Sequence, residues 1–111
     1  MTGEPTYIEL GVTDADAARR FYDALLGWHP SGSSGPGQVD TPTLSVGIHA
    51  RDPKAWFEVF FAVDDLDVSL AQVRSLGGTV EGEIHDDDGF GRWCECADDQ
   101  GVRFGLRQQH T

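Results

Sequence analysis

The sequence predicts an α+β domain built from two βαβββ modules, and two observations carry that prediction. The first is an internal repeat. Shifted by 51 positions without a gap, Val63 falls on Val12, Asp65 on Asp14, Asp67 on Asp16, Leu76 on Leu25 and Gly78 on Gly27. A repeat near half the chain length marks two copies of one supersecondary unit, each needing a neighbour to cover its apolar face. The second is the order of periodicities within each copy: strand alternation, an acidic turn, helical spacing, a glycine stop, then further strands. The modules span about 5–50 and 56–108, with a linker at 51–55, inside a single domain of 111 residues.

Thr6 to Val12 alternates, with Ile8, Leu10 and Val12 on one face and Tyr7, Glu9 and Gly11 on the other, a half-buried strand. Thr13 or Asp14 caps the helix that follows, and Asp16 places negative charge in its first turn, where the helix dipole favours it. Ala18, Phe21, Tyr22 and Leu25 form its expected buried stripe, and Gly27 ends it. Residues 29–42 are rich in Ser, Gly and Pro and read as a loop with room for a short strand at each side; Thr43 to His49 reads as a strand.

In the second copy Phe57, Val59, Phe61 and Val63 share one face, and Glu58, Phe60 and Ala62 the other. Its apolar character on both faces predicts a strand covered on both sides. Leu66, Leu70, Val73 and Leu76 follow at helical spacing, stopped by Gly77-Gly78. Thr79 to Ile84 reads as a strand, His85 to Gly89 as a polar turn, Phe90 to Ala97 as a strand and Asp98 to Gly101 as a tight turn. Val102 to Arg107 closes the module.

A net charge of -11 argues against nucleic acid or an anionic membrane as partner, since both need basic patches. No apolar run approaches the ~20 residues of a membrane span, and no basic segment precedes an apolar one at the N-terminus; the expected location is cytoplasmic. Cys94 and Cys96 share one strand face, where a disulfide is geometrically unfavourable, so both are read as reduced. The Asp86-Asp87-Asp88-Gly89 run lacks the terminal glutamate of a calcium loop.

Together these residues resemble a known family. Val-x-Asp opens each helix, Phe21-Tyr22 lies inside the first, and Leu26-Gly27-Trp28 follows it. The end of the chain reads Gly89-Phe90-Gly91-Arg92-Trp93 and then Asp98-Asp99-Gln100-Gly101-Val102-Arg103-Phe104-Gly105-Leu106. Order and spacing resemble the vicinal oxygen chelate superfamily, which includes glyoxalase, bleomycin-resistance and extradiol-dioxygenase relatives. The resemblance covers nearly the whole chain except about 29–42. It implies paired modules whose curved sheets enclose a cleft. In metal-dependent relatives the ligands sit on cleft-facing positions of the first and last strand of each module. Carried over, those positions are Tyr7, Glu58 and Gly105, with a fourth near Val46 to His49. Only Glu58 is a good ligand. No cofactor is therefore expected, and a divalent metal held by Glu58, Glu9 and His49 is the alternative.

The cleft side is expected to carry Tyr7, Glu9, Glu58, Phe60, Arg103 and Arg107, joined by either Trp93 and Glu95 or Arg92 and Cys94. Aromatic walls with a few placed charges are what a small-molecule site needs, although ion pairs across the sheet and plain aromatic core would use the same residues. The first expectation is a metal-free protein that binds or sequesters a small molecule, in the manner of bleomycin-resistance relatives. The second is an enzyme of the same fold, glyoxalase- or dioxygenase-like, either metal-dependent or with Glu58 as general base. An interaction module with a degenerate cleft is the third. The expected assembly is a homodimer, because two small modules leave an exposed sheet edge and the resemblance agrees.

Overall fold

A computed structural model of the chain describes residues 2–28, 30–31 and 38–109. Its contacts gather into two units: Tyr7–Glu58, and the residues through Thr6 together with those from Val59 onward.

In the first unit, β1 (Pro5–Gly11) leads into α1 (Ala15–Leu26), followed by β2 (Pro30–Ser31), β3 (Gln38–Asp40) and β4 (Ser45–His49). β4 pairs in parallel with β1, with Glu9 opposite Gly47 and Gly11 opposite His49. β3 runs antiparallel to β4 and to β2. The two short strands flank the Ser/Gly/Pro-rich stretch, whose residues 32–37 lie outside the described residues. Asp14 is the cap: its carboxylate accepts from the Ala17 N–H at 3.0 Å. Gly27 ends the helix in the left-handed conformation at φ 73°, a geometry that favours glycine.

The buried face of α1 differs from the expected stripe. Ala15 and Arg19 are buried and Ala18 and Tyr22 half-buried, whereas Phe21 and Leu25 are 60% and 64% exposed. Arg19 ion-pairs with Asp16 one turn earlier, so its stem can occupy a core-facing position without leaving an unneutralised charge. A pattern built on apolar residues alone therefore points one helical step away from the true face. The core of this unit is Leu10, Ala15, Val39, Val46 and Ile48.

The second unit continues through β5 (Trp56–Ala62), whose residues from Val59 belong to it. It then adds α2 (Leu66–Ser75), β6 (Thr79–Val80), β7 (His85–Asp87), β8 (Gly91–Ala97) and β9 (Arg103–Gln108). β9 is parallel to β5 and antiparallel to β8, and both β6 and β7 pair antiparallel with β8. The expected strand Thr79 to Ile84 is reduced to two residues. His85 to Asp87, read as a polar turn, is instead β7, and the turn shifts to Gly89 at φ 77°. All three β7 side chains are exposed, so no apolar pattern announces the hairpin.

Leu66 and Leu70 of α2 pack on Cys94, Cys96 and Leu106 to form the core. Leu76 caps the helix at 77% exposure rather than joining its buried stripe. Neither cysteine is in a disulfide, both are fully buried, and burial pushes the Cys94 thiol up. On β5, Glu58, Phe60 and Ala62 are buried, while Phe57 is exposed and Val59 and Phe61 half-buried, so the strand is closed on one face and only partly on the other.

Candidate functional site

Strand alternation places the chemistry-bearing residues of the first unit together. Tyr7 and Glu9 stand two apart on β1, and the Tyr7 hydroxyl donates to Glu9 Oε1 at 2.8 Å. The pair lies across Gly47 of β4: a Cβ there would sit 2.8 Å from Glu9 Oε1 and overlap the Tyr7 hydroxyl oxygen. Two residues further along both strands, the Trp56 indole covers Gly11 in the same way. Trp56 and Glu58 alternate along β5, and Glu58 is only 4% exposed.

His49 ends β4 and is turned toward Asp52, with its Nδ1 2.6 Å from Asp52 Oδ2. The His49 hydrogen bond, assisted by one from the Trp56 side chain, holds the Asp52 carboxyl below its ordinary value. A carboxyl whose folded pKa is depressed contributes stability above its unfolded pKa and loses it as pH falls through the folded one. Asp52→Asn is therefore expected to lower the melting temperature at neutral pH, with the difference from wild type shrinking below about pH 4. A difference that is constant with pH would show that the carboxylate charge is not what His49 and Trp56 hold. An open hollow of about 540 Å³ lies beside His49 at the start of α1, lined also by Thr13, Asp14, Asp16 and Arg51. Both of its carboxylates are engaged, Asp14 as helix cap and Asp16 with Arg19.

The second unit gathers an aromatic face. Phe60 meets Phe90 and Trp93 edge-to-face, with ring centres 6.0 and 5.7 Å away. Phe60 lies opposite Gly105 in the β5–β9 register, and its ring fills the space that any side chain at 105 would need, three of its carbons overlapping a Cβ placed there. Arg107 is buried; its guanidinium stands 4.0 Å from the Phe90 ring centre and its Nε donates to the Phe90 carbonyl at 2.7 Å. Arg103 is exposed and donates to Glu95 at 3.1 Å. On β8, Trp93 and Glu95 share the face of Phe60 and Gly105, while Cys94 points into the core and Arg92 pairs with Asp67.

The candidates thus fall on two faces: Tyr7, Glu9 and Glu58 in one unit, and Phe60, Trp93, Arg103 and Arg107 in the other. Tyr7 joins Glu9, Phe60 joins Trp93, and Arg107 joins them through Phe90. Four participants were not foreseen. Trp56 could have been found by extending the alternation of Glu58 and Phe60 back by two residues. Phe90 stood in a recognised segment but was read only as the start of a strand. Asp52 and His85 gave no signal, because a turn and a hairpin bring them to their partners.

The family's metal positions do not form a donor set in this chain. Gly105 contributes no side chain, Gly47 occupies the matching register position in the other unit, and neighbours fill the space above both glycines. Among the described residues no group of three His, Cys, Asp or Glu side chains is placed to hold a metal ion.

Comparison with known proteins agrees with this architecture. The sequence model of the Glyoxalase-like domain family matches residues 7–107. The anthracycline biosynthesis protein DnrV of Streptomyces peucetius is 30% identical over 94% of this chain and 46% of its own length. A provisionally named glyoxylase of Mycobacterium tuberculosis, CFP32, is 28% identical over 96% of this chain and 46% of its own. The chain therefore spans about half the length of the curated relatives it matches. In fold it is similar to methylmalonyl-CoA epimerase from Mycobacterium tuberculosis, with a TM-score of 0.76 at 16% identity over 99% of this chain and 90% of that one. The homoprotocatechuate 2,3-dioxygenase of B. fuscum gives 0.75 at 24% identity over 99% of this chain and 33% of that one. With two strand–helix–strand units, their register and the match over residues 7–107 in agreement, the chain belongs to the glyoxalase-like domain family of the vicinal oxygen chelate superfamily.

Proposed function

We propose that the chain binds a small aromatic molecule without a resident metal, as a carrier or sequestering protein rather than a metalloenzyme. One observation carries this reading. At both glycines that face the first strands, Gly47 and Gly105, the room for a ligating side chain is taken by Tyr7 with Glu9 and by Phe60. What remains for a ligand is a half-buried acidic, hydroxyl-bearing face at Tyr7 and Glu9 and a half-buried aromatic one at Phe90 and Trp93. Aromatic area supplies affinity and a few fixed polar groups supply orientation, the composition of a small-molecule site. The relatives named for anthracycline biosynthesis point toward polycyclic aromatic ligands for this chain.

A second reading, a metal-independent enzyme with Glu58 as general base, is favoured by the burial of that carboxylate two residues from Phe60. Thermal-shift screening of a panel of polycyclic aromatics tests the binding reading, since a ligand that prefers the folded state raises the melting temperature by mass action. A stabilisation that persists in EDTA is expected. Stabilisation that appears only with added divalent metal would overturn the metal-independent reading, and the absence of any hit would overturn binding itself. Glu58→Ala is expected to weaken the best ligand by tenfold or more while changing its turnover only if the enzyme reading holds. A variant with unchanged affinity and a sharply lowered melting temperature would make Glu58 a structural residue.

A further inference from the structure

We propose that the indole of Trp93 is a stacking platform for a planar aromatic cation and that His85 is its displaceable cover. The inference rests on the ligand-binding reading and names the ligand class and the place. His85 of β7 is the direct cross-strand neighbour of Trp93 on β8, and the two rings stack at 4.3 Å with planes 20° apart. Three further contacts hold the indole. Phe60 and Phe90 meet it edge-to-face at 5.7 and 6.3 Å, and its Nε1 donates to Asp87 Oδ2 at 2.7 Å. The platform is therefore rigid and its orientation fixed, which lowers the ordering cost of stacking a ligand on it.

His85 is held differently. It is exposed, and among the described residues its ring makes no hydrogen bond or ion pair; the stack on Trp93 is the contact that keeps it in place. A change of one side-chain rotamer uncovers a flat, half-buried indole face. A larger fused ring covers more of that face than an imidazole does, so it outcompetes the cover on area alone.

Local charge selects the sign of the ligand. Asp87 sits at the indole edge, and Asp88 and Glu83 are exposed close by in sequence. Arg107 stands opposite Trp93 on β9 with its guanidinium over the Phe90 ring, and the carboxylates of Asp87, Asp88 and Glu83 outnumber its single charge. A positively charged ring system gains both from the indole quadrupole and from these carboxylates. An anion of the same shape loses.

The test uses the full chain and proflavine, a planar cation, titrated at physiological ionic strength, with anthraquinone-2-sulfonate as planar anion. Expected is saturable proflavine binding at least tenfold tighter than the anion, with the His85 ring proton resonances moving as the imidazole leaves the indole. His85→Ala, which removes the cover, is expected to tighten binding threefold or more. Trp93→Leu is expected to weaken it tenfold or more, and Trp93→Phe, which keeps a ring in place, covers the case in which the leucine variant fails to fold. Unmoved His85 resonances together with an unchanged Kd in His85→Ala would overturn the platform, as would equal affinity for the anion overturn the charge selection. If neutral or anionic aromatics stabilise the protein and proflavine does not, this inference falls while the binding reading stands. If no aromatic binds at all, both fall.

Discussion

Gly105→Glu, which places an acid at the position where metal-dependent relatives are expected to carry a ligand, is expected to destabilise the protein rather than build a site. The Gly105 Cβ would lie within overlap distance of three carbons of the Phe60 ring. Phe60 is 4% exposed and wedged edge-on by Phe90 and Trp93, so the ring has nowhere to swing. Overpacking of this kind costs about 1–3 kcal/mol, and a carboxylate pressed into an aromatic face without a partner adds roughly 1–3 more. At this chain length that is a fall in melting temperature of roughly 10–25 °C. The conformation of Gly105 is not the obstacle, because it is not among the positive-φ glycines.

Space is the cause, and a second substitution can prove it. In a Phe60→Ala background the same glutamate is expected to cost far less, giving a coupling energy of about 1–3 kcal/mol in a double-mutant cycle. Additive effects would mean that Phe60 does not occupy the position. Gly47→Ala makes a useful contrast. There the groups in the way are the Tyr7 hydroxyl with the ring carbon that bears it and the Glu9 carboxylate, on two half-buried side chains, so the Tyr7 ring must swing as a whole about its Cα–Cβ bond. Its expected cost is about 1–3 kcal/mol, the lost Tyr7–Glu9 hydrogen bond included.

These glycines also show where the sequence was legible and where it was not. Module order, helix caps and the half-chain repeat could be read because each is written in local chemistry: an aspartate at the N-cap, a glycine past the last turn, alternation along a strand. The absence of a side chain at Gly105 was equally visible, whereas the fourth position was placed only near Val46 to His49, and what fills the space at either glycine was not legible. That depends on strand register, which sets Glu9 against Gly47 and Phe60 against Gly105. The buried side of α1 was misplaced because an arginine took a core-facing position by pairing with Asp16, a substitution that hydrophobic patterning does not register. His85 and Trp93 were read as a turn residue and a strand residue eight positions apart. Only a tight hairpin with three exposed residues on one arm stacks them.

The opposite side of the second unit's sheet supports the remaining prediction. Leu66 opens α2 and has no solvent exposure; it packs with Leu70 against Cys94, Cys96 and Leu106. Its backbone N–H is bonded to Gln108 Oε1 at 2.7 Å, which ties the first turn of the helix to β9 and limits how far the helix can settle into a void. Leu66→Ala is accordingly expected to fall in the upper part of the usual range for a buried leucine, about 3–5 kcal/mol, read as a lowered urea midpoint with an unchanged m-value. Leu66→Met, which keeps the volume, is expected to cost less than about 1.5 kcal/mol. A loss below about 1 kcal/mol for the alanine variant would mean that α2 relaxes onto the sheet and that the core is not close-packed. Leu66 packs on the Cys94 face of β8, whereas Phe60 and Trp93 stand on the other. Under conditions where the alanine variant stays folded, its affinity for an aromatic ligand is therefore expected to match wild type within a factor of about two. That outcome would separate stability from the proposed binding on the two faces of one sheet, the helix face holding the unit together while the aromatic face is free to vary.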